Sequence, residues 1–187
     1  MKKVLFIDRD GTINAEPPDY ELDSFEQLEF YPFVFQYLGR IAAEFDYELI
    51  MVSNQDGLGS PSFSEKSFFR VHDFIMKCLE NEGIVFKEAF IDRTFPHEKV
   101  STRKPGTGML THFLNNPDYD ISNSFVIGDR ITDVQLANNL GCKALWLNNN
   151  SGLGKGEITD TVAVLKNAVA LETEKWEDIY KYLKKIN

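Results

Sequence analysis

The stretch "VLFIDRDGTI", residues 4–13, joins a short apolar run to two aspartates, Asp8 and Asp10, and then to a glycine. An apolar run that ends in polar residues and glycine predicts a buried strand followed by a tight turn. Two carboxylates this close together repel each other unless a cation or a chemical role compensates for the repulsion. The stretch therefore predicts a buried strand with a functional site at its carboxyl end.

The composition is that of a globular chain with an acidic balance. The chain has 187 residues, of which 43% are hydrophobic, and its formal net charge is −9. This size predicts one domain over residues 1–187. The acidic balance argues against a nucleic-acid partner, and the apolar run at 4–7 is too short for a signal peptide or a membrane span. We expect a cytoplasmic protein with neither a nucleic-acid nor a membrane partner.

Apolar runs alternate with segments of helical periodicity along the chain. Strands are predicted at 4–7, 47–52, 85–91, 124–127, 143–147 and 168–171, and helices at 32–45, 64–82, 106–115, 131–140 and 173–186. This order predicts an α/β fold with a Rossmann-like, mainly parallel sheet that carries helices on both faces. Residues 148–157 are predicted to form a mobile surface loop.

Polar clusters follow four of the predicted strands. Asp8 and Asp10 follow the first strand, "SNQDG" (53–57) the second, "RKP" (103–105) the third and "GDRITD" (128–133) the fourth. Because the carboxyl ends of parallel strands share one edge of the sheet, these clusters should lie together. Their side chains are carboxylates, a hydroxyl, an amide and two cations: Asp8, Asp129, Asp133, Ser53, Asn54, Arg103 and Lys104.

This combination of side chains indicates a metal-assisted reaction at a phosphoryl group. Three converging carboxylates without cysteine or histidine favour a hard cation, and their small number favours Mg²⁺ over Ca²⁺. A hydroxyl, an amide and an ammonium beside that cation can stabilise the equatorial oxygens of a phosphoryl group during its transfer. The magnesium ion would offset the repulsion between Asp8 and Asp10.

The chain resembles the haloacid dehalogenase (HAD) superfamily of phosphohydrolases in four motifs: "DRDGTI" (8–13), "SN" (53–54), "RKP" and "GDRITD". Longer stretches, "FIDRDGTINAEPP", "NQDGLGSPSF" and "RKPGTGML", are similar to the histidinol-phosphate phosphatase domain of bifunctional histidine-biosynthesis enzymes. The second domain of those enzymes is an imidazoleglycerol-phosphate dehydratase. The resemblance leaves two alternatives open, a single-function homologue and one part of a native fusion.

The resemblance implies a role for each matching residue. Asp8 would be the nucleophile that forms an aspartyl phosphate, and Asp10 would protonate the leaving alkoxide and later activate water. Asp8, Asp129 and the backbone carbonyl of Asp10 would hold Mg²⁺, while Asp133 would support the metal or Lys104. Phosphoryl or substrate contacts are implied for Ser53, Asn54, Lys104 and Arg103.

Each of these assignments has a simpler alternative. An Asp-x-Asp-Gly sequence alone is usually a turn, and Arg103 and Lys104 alone would be surface charges. An aspartate such as Asp133, in the first turn of a helix, is also explained by the helix dipole. The presence of all four motifs in order favours the functional interpretation.

The loop lengths predict an open site. About forty residues separate Asp10 from Ser53, and one helix and one strand use most of them, so we expect no separate cap domain. Selectivity would come from loops 14–29, 55–63 and 92–102, whose acidic residues are Glu16, Asp19, Asp56 and Glu98. An acidic rim favours a small phosphorylated amino alcohol, and we expect Glu16 and Gln55 to contact it. The alternative is that these acids are only solvated.

Three other functions remain open. A sugar phosphatase of the heptose-bisphosphate type would share "RKP" and the missing cap. A polynucleotide end phosphatase would be expected to carry a basic groove, contrary to the net charge. A catalytically silent binding module would not need Asp8, Asp10, Lys104 and Asp129. We therefore expect a Mg²⁺-dependent histidinol-phosphate phosphatase.

The loop before "RKP" departs from the family pattern. Relatives commonly carry a structural zinc site there, built from cysteines and one histidine. Here "IDRTFPHEKVST" (91–102) contains His97 but no cysteine, while Cys78 and Cys142 fall in other elements as core positions. We therefore expect no structural zinc, and closure of the loop by local hydrogen bonds and by contacts of Phe95 and Val100. His97 would be a surface residue or a substrate contact.

Overall fold

A six-stranded parallel sheet lies at the centre of the computed structural model, which describes residues 1–148 and 152–187. The strands are β1 (Lys3–Ile7), β2 (Tyr47–Asn54), β3 (Phe86–Asp92), β4 (Phe125–Gly128), β5 (Lys143–Leu147) and β6 (Val169–Thr173). They lie in the order β3-β2-β1-β4-β5-β6, and each neighbouring pair is parallel. The strand order reverses between β1 and β4, which is where ligands bind in open α/β sheets.

Among the described residues, five α-helices lie in the connections between strands, and a sixth follows the last strand. These are α1 (Val34–Glu44), α2 (Glu65–Asn81), α3 (Thr111–Leu114), α4 (Ile131–Leu140), α5 (Val162–Leu165) and α6 (Trp176–Ile186). Short 3₁₀ turns occur at Pro96–Glu98, Gly108–Leu110, Ile121–Asn123 and Lys166–Ala168. No described helix has the length and apolar character needed to cross a membrane.

Both faces of the sheet are buried, because alternate side chains of β1 pack into two different hydrophobic clusters. Leu5 and Ile7 pack with buried residues of α1, α2 and α6, whereas Val4 and Phe6 pack with residues of α3, α4 and α5. Because successive side chains of a strand point to opposite faces, helices must cover both sides of this sheet. The predicted α/β fold with a mainly parallel sheet is confirmed.

Two predicted helices have different bounds in the structure. Helix α1 begins at Val34 rather than at residue 32, because Phe33 adopts a left-handed conformation (φ 61°) just before it. The helix predicted at 106–115 is only a 3₁₀ turn followed by one α-helical turn. Gly106 and Gly108 press against the backbone of Ser101, where a Cβ would lie 2.2 Å and 2.8 Å from its atoms, so the chain turns back before it becomes helical.

The last third of the chain also differs from its predicted pattern. Strand β6 extends to Thr173, so the final helix begins at Trp176 and not at residue 173. The short helix α5 was not predicted; its first turn is capped by Thr161, whose side chain accepts a hydrogen bond from the N–H of Val164. Residues 149–151 of the predicted surface loop lie outside the described residues.

Candidate active site

The polar residues that follow β1, β2 and β4 lie together at one edge of the sheet and open onto a cavity of about 410 Å³. The cavity lining combines two cations, Lys104 and Arg130, with carboxylates. The carboxylates include Asp8, Asp10, Glu16, Asp19, Glu21 and Glu157. The cavity is therefore suited to a ligand that carries both an anionic and a cationic group.

Lys104 connects the loop after β3 to residues at the ends of β1 and β4. Its ammonium lies 2.8 Å from Oδ1 of Asp8 and 2.8 Å from Oδ1 of Asp133. The second oxygen of Asp133 accepts a hydrogen bond from the N–H of Arg130, at the start of α4. Burial favours the neutral amine, but Asp133 and Asp8 outweigh burial and raise the pKa of Lys104. Lys104 is thus a fixed, charged group beside the Asp8 carboxylate.

Three buried carboxylates form a group that could hold a cation. Asp8, Asp129 and Asp133 each place one oxygen within 4.8 Å of the others. Gly11 permits this approach, because its φ is 76° and a Cβ would lie 2.4 Å from the Asp129 carboxylate. An all-oxygen donor set of this kind fits a hard divalent cation such as Mg²⁺.

Burial in this group disfavours the charged carboxylates. Burial raises the pKa of Asp8 to about 7, although Lys104 acts in the opposite direction. Burial, together with Asp8 and Asp133, raises the pKa of Asp129 to about 8. A nearby positive charge favours the ionised form of a carboxylate, so a bound divalent cation would reverse both shifts.

Asp10 is held by hydrogen-bond donors on both carboxylate oxygens. Arg9 donates from Nε and Nη2, each at 3.0 Å, Asn14 donates from Nδ2 at 2.8 Å, and Gln55 donates from Nε2 at 2.7 Å. Burial raises the pKa of Asp10, but Arg9 and these hydrogen bonds outweigh burial and lower it. The side chain of Asp10 is therefore fixed in one orientation at the cavity.

The side chains of the motif after β2 are bonded mainly to other residues of the site. Gln55 donates a hydrogen bond to Oγ of the buried Ser53 at 2.8 Å, and it supports Asp10 from behind. The side-chain amide of Asn54 is paired with the backbone of Lys104, accepting from its N–H and donating to its carbonyl, both at 3.0 Å. Asn54 thus positions Lys104.

Arg103 lies beside the site without lining the cavity. Its guanidinium is buried, forms ion pairs with Asp56 and with Glu157, and donates to the carbonyl of Thr94 at 2.8 Å. These contacts join three loops around the cavity. The sequence-based prediction that Arg103 contacts a phosphate or substrate remains a prediction.

The acidic residues that were predicted to form a rim differ in their bonding partners. Glu16 pairs with Arg130 at 2.7 Å, and Asp56 pairs with Arg103. Asp19 accepts hydrogen bonds from Gln27 and lines the cavity. Glu98 faces elsewhere and accepts from the N–H of Phe95 at 2.8 Å. Of the four predicted acids, Asp19 is therefore the one that can most directly offer its charge to a ligand.

Three residues of this site were not assigned a role from the sequence. Arg9 is fully buried, with its guanidinium 4.6 Å from the ring centroid of Phe68, and Asn14 shares its contact with Asp10. Arg130 lines the cavity. Arg9 and Arg130 lie inside the motifs "DRDGTI" and "GDRITD". Their position next to the motif aspartates is the sequence feature from which a role in the site could have been predicted.

Comparisons with known proteins identify the family to which the chain belongs. The HAD-hydrolase-like family model matches residues 101–164. The chain is 51% identical, over 97% of its length, to the histidine biosynthesis bifunctional protein HisB of Bacteroides fragilis, and 46% identical, over 98%, to HisB of Spirosoma linguale. It spans about half the length of these relatives, 47% and 49% respectively.

Solved structures share the fold at low sequence identity. The D,D-heptose 1,7-bisphosphate phosphatase from B. bronchiseptica, crystallised with magnesium and phosphate, has a TM-score of 0.80 and 22% identity over the whole of both chains. A HAD-like phosphatase from Mesorhizobium loti has a TM-score of 0.73 and 19% identity, covering all of this chain and 88% of the other. These solved structures show the fold, while the motifs, the family model and the relatives at 51% and 46% identity show that the chain belongs to the haloacid dehalogenase-like hydrolases.

Proposed function

We propose that the chain is a Mg²⁺-dependent phosphatase whose substrate is histidinol phosphate. The observation that carries the phosphatase proposal is the buried contact between the Lys104 ammonium and the Asp8 carboxylate at the base of an open cavity. The choice of substrate is supported by the resemblance to histidinol-phosphate phosphatase domains and by the relatives named HisB. The half-length match to bifunctional relatives also supports a native fusion to a dehydratase unit.

The first chemical step uses Asp8 as the nucleophile. A carboxylate oxygen of Asp8 attacks phosphorus, the bond from phosphorus to the alcohol oxygen breaks, and an aspartyl phosphate forms. Lys104 orients the Asp8 carboxylate and neutralises charge on the transferring group. A phosphoryl contact is also assigned to the hydroxyl of Ser53, which accepts a hydrogen bond from Gln55. Asp10 supplies the proton that the leaving alkoxide takes up. This step uses the acid form of Asp10, which its lowered pKa makes the less populated form before substrate binds.

The second step returns the enzyme to its starting state. Asp10 removes a proton from a water molecule, which attacks phosphorus and releases the Asp8 carboxylate and inorganic phosphate. Arg9, Asn14 and Gln55 keep the Asp10 carboxylate at the cavity throughout. The same group therefore serves as acid and then as base.

The residues that would hold Mg²⁺ are Asp8, Asp129 and the backbone carbonyl of Asp10. When bound, the ion would supply positive charge against the phosphoryl oxygens. Asp133 is already bonded to Lys104 and to the N–H of Arg130, which supports a positioning role for it beside the metal.

Substrate selectivity is assigned to the acidic part of the cavity lining. Asp19 and Glu21 lie on the loop after β1, and burial together with Asp19 and Asp23 raises the pKa of Glu21. Neighbouring carboxylates repel one another, and an ammonium group placed between them relieves that repulsion. Histidinol phosphate carries an ammonium group on the second carbon from its phosphate ester and an imidazole at its far end, whereas a sugar bisphosphate carries no cationic group.

The experiment that tests this proposal is a substrate panel. Phosphate release is measured with Mg²⁺ for histidinol phosphate, a heptose bisphosphate, a 5′-phosphorylated oligonucleotide and a simple aryl phosphate. We expect the highest kcat/KM for histidinol phosphate. A preference for the heptose bisphosphate would overturn the substrate, and no turnover on any member would favour a silent binding module.

A further inference from the structure

The loop between β3 and Lys104 is closed by a single buried carboxylate. Asp92, at the end of β3, is only 4% exposed. Its Oδ1 accepts hydrogen bonds from the N–H of Thr94, at 2.9 Å, and from the Thr94 hydroxyl, and its Oδ2 accepts from the hydroxyl of Thr102 at 2.5 Å. We name these three residues, Asp92, Thr94 and Thr102, the Asp92 clip.

This loop does not fit the structural zinc site that the family resemblance implies. His97 is exposed and stacks on the ring of Phe95, with the two ring centroids 5.6 Å apart. Cys78 lies on α2, and Cys142 lies just before β5. A closed zinc site needs four ligands, usually thiolates and imidazoles, and those side chains do not converge here. In this chain the hydrogen bonds of the Asp92 clip, and not a metal ion, join the two ends of the loop.

The clip is connected at both ends to residues that adjoin the proposed active site. Thr102 directly precedes Arg103 and Lys104, and the carbonyl of Thr94 accepts a hydrogen bond from Arg103 at 2.8 Å. The carbonyl of Asp92 accepts from the N–H of Gln55, at 2.7 Å, in the loop after β2. The path from Asp92 to the Lys104 backbone is therefore short and bonded along its length.

We propose that Asp92 is a positioning residue, whose hydrogen bonds to Thr94 and Thr102 replace a metal and hold the Lys104 ammonium against Asp8. This inference rests on the proposed phosphatase function. Removing the carboxylate releases Thr102, and the hydrogen bonds from Asn54 then hold the Lys104 backbone without the clip. A displacement of about 1 Å in a catalytic group can lower the rate by about 10²-fold.

Four variants test the clip by their chemistry. Asp92→Ala removes both acceptors, and Thr102→Val removes one donor while keeping the side-chain shape. Asp92→Asn retains the clip, because its oxygen can accept from Thr94 and its amide can donate to the Thr102 hydroxyl. Thr107→Val makes the same chemical change at a half-buried threonine outside the clip. We expect kcat to fall 10-fold to 100-fold in Asp92→Ala, less in Thr102→Val, and less than 3-fold in Asp92→Asn and Thr107→Val.

A double-mutant cycle separates positioning of Lys104 from a general loss of structure. In a Lys104→Met background, Asp92→Ala should cost less than 3-fold in kcat, because the group that it positions is already absent. An equal loss in both backgrounds would overturn the positioning role. Urea unfolding of each variant identifies losses of kcat that accompany a general loss of stability. If Asp92→Ala does not fold, Thr102→Val takes its place in the cycle.

Limited proteolysis tests the clip without any enzyme activity. Lys99 is exposed within the loop, and we expect trypsin to cleave after it at least 5-fold faster in Asp92→Ala and Thr102→Val than in Thr107→Val. Unchanged cleavage together with unchanged kcat would overturn the clip. If the unmodified chain hydrolyses no phosphomonoester while cleavage still accelerates in the clip variants, the proposed function fails and the loop closure by Asp92 stands.

Discussion

The ammonium of Lys104 lies 2.8 Å from Oδ1 of Asp8, although 96 positions of the chain separate the two residues. The contact joins the end of β1 to the loop that follows β3, and it buries a charge pair at the base of the cavity. A buried ammonium beside a buried carboxylate favours the ionised form of that carboxylate, which is the form that can attack phosphorus.

Replacing the nucleophile should abolish turnover. Asp8→Asn removes the carboxylate that would form the aspartyl phosphate but keeps the size of the side chain. We expect no measurable phosphate release from histidinol phosphate and an unchanged circular dichroism spectrum. Asp118→Asn, the same substitution at an exposed aspartate, is the control and should retain full activity. Full activity of Asp8→Asn would show that another group is the nucleophile.

Replacing the acid and base should slow both chemical steps. Asp10→Asn cannot donate or accept the proton, and we expect a loss of about 10²–10⁴-fold, which is typical of a positioned acid or base. Single-turnover measurements with quenching should show slower release of histidinol and slower breakdown of the phosphorylated enzyme. An unchanged rate where chemistry limits turnover would assign the role to a different residue.

Neutralising Asp19 should discriminate between substrates. Asp19 lines the cavity and has no cation paired with it among the described residues, whereas Glu16 and Asp56 are paired with Arg130 and Arg103. We expect Asp19→Asn to raise KM for histidinol phosphate more than KM for a phosphomonoester without an amine. Glu98→Gln, outside the cavity lining, is the matched control. Equal increases for both substrates would mean that Asp19 is merely solvated.

Protonation of His72 should destabilise the fold at acidic pH. Burial, with a further contribution from Arg9, lowers the pKa of His72 to about 4 from an ordinary value of 6.5. Between pH 6.5 and 4 the unfolded chain binds a proton here that the folded chain does not, so stability falls as the pH falls through this window. The full effect, reached below pH 4, is about 3 kcal/mol.

Urea unfolding of His72→Gln at several pH values measures this contribution. The difference in unfolding free energy between this variant and the unmodified chain should change between pH 6.5 and 4 and stay constant above pH 7. His112→Gln, at an exposed histidine of α3, is the matched control. A pH-independent difference for His72→Gln would contradict the prediction.

The fold should be independent of structural zinc. After metal depletion and repurification, we expect less than 0.1 zinc per chain and the same melting temperature with and without a zinc-selective chelator. His97→Ala should leave stability unchanged, because His97 is exposed. Stoichiometric zinc that disappears in His97→Ala together with stability would refute the expectation.

The mainly parallel sheet, and the gathering of the polar motifs at one of its edges, could be predicted from local information. Apolar runs such as 4–7 and 143–147 are short and uninterrupted, and polar motifs follow the strands directly. Helix bounds were predicted less well where glycines occur. The region 106–115 has helical periodicity, but contacts between Gly106 and the backbone of Ser101 determine its conformation, and periodicity carries no information about such contacts.

Residue types and motif order were enough to identify Asp8, Asp10, Lys104 and Asp129 as candidates, because each belongs to a short pattern with its own chemistry. Pairings between distant residues became visible only in the folded chain. Arg103 is bound by Asp56 and Glu157, and the carboxylate of Asp92 binds the hydroxyl of Thr102. Hydrogen bonds and ion pairs depend on distances of a few ångströms, which packing of the loops sets and which no local pattern records.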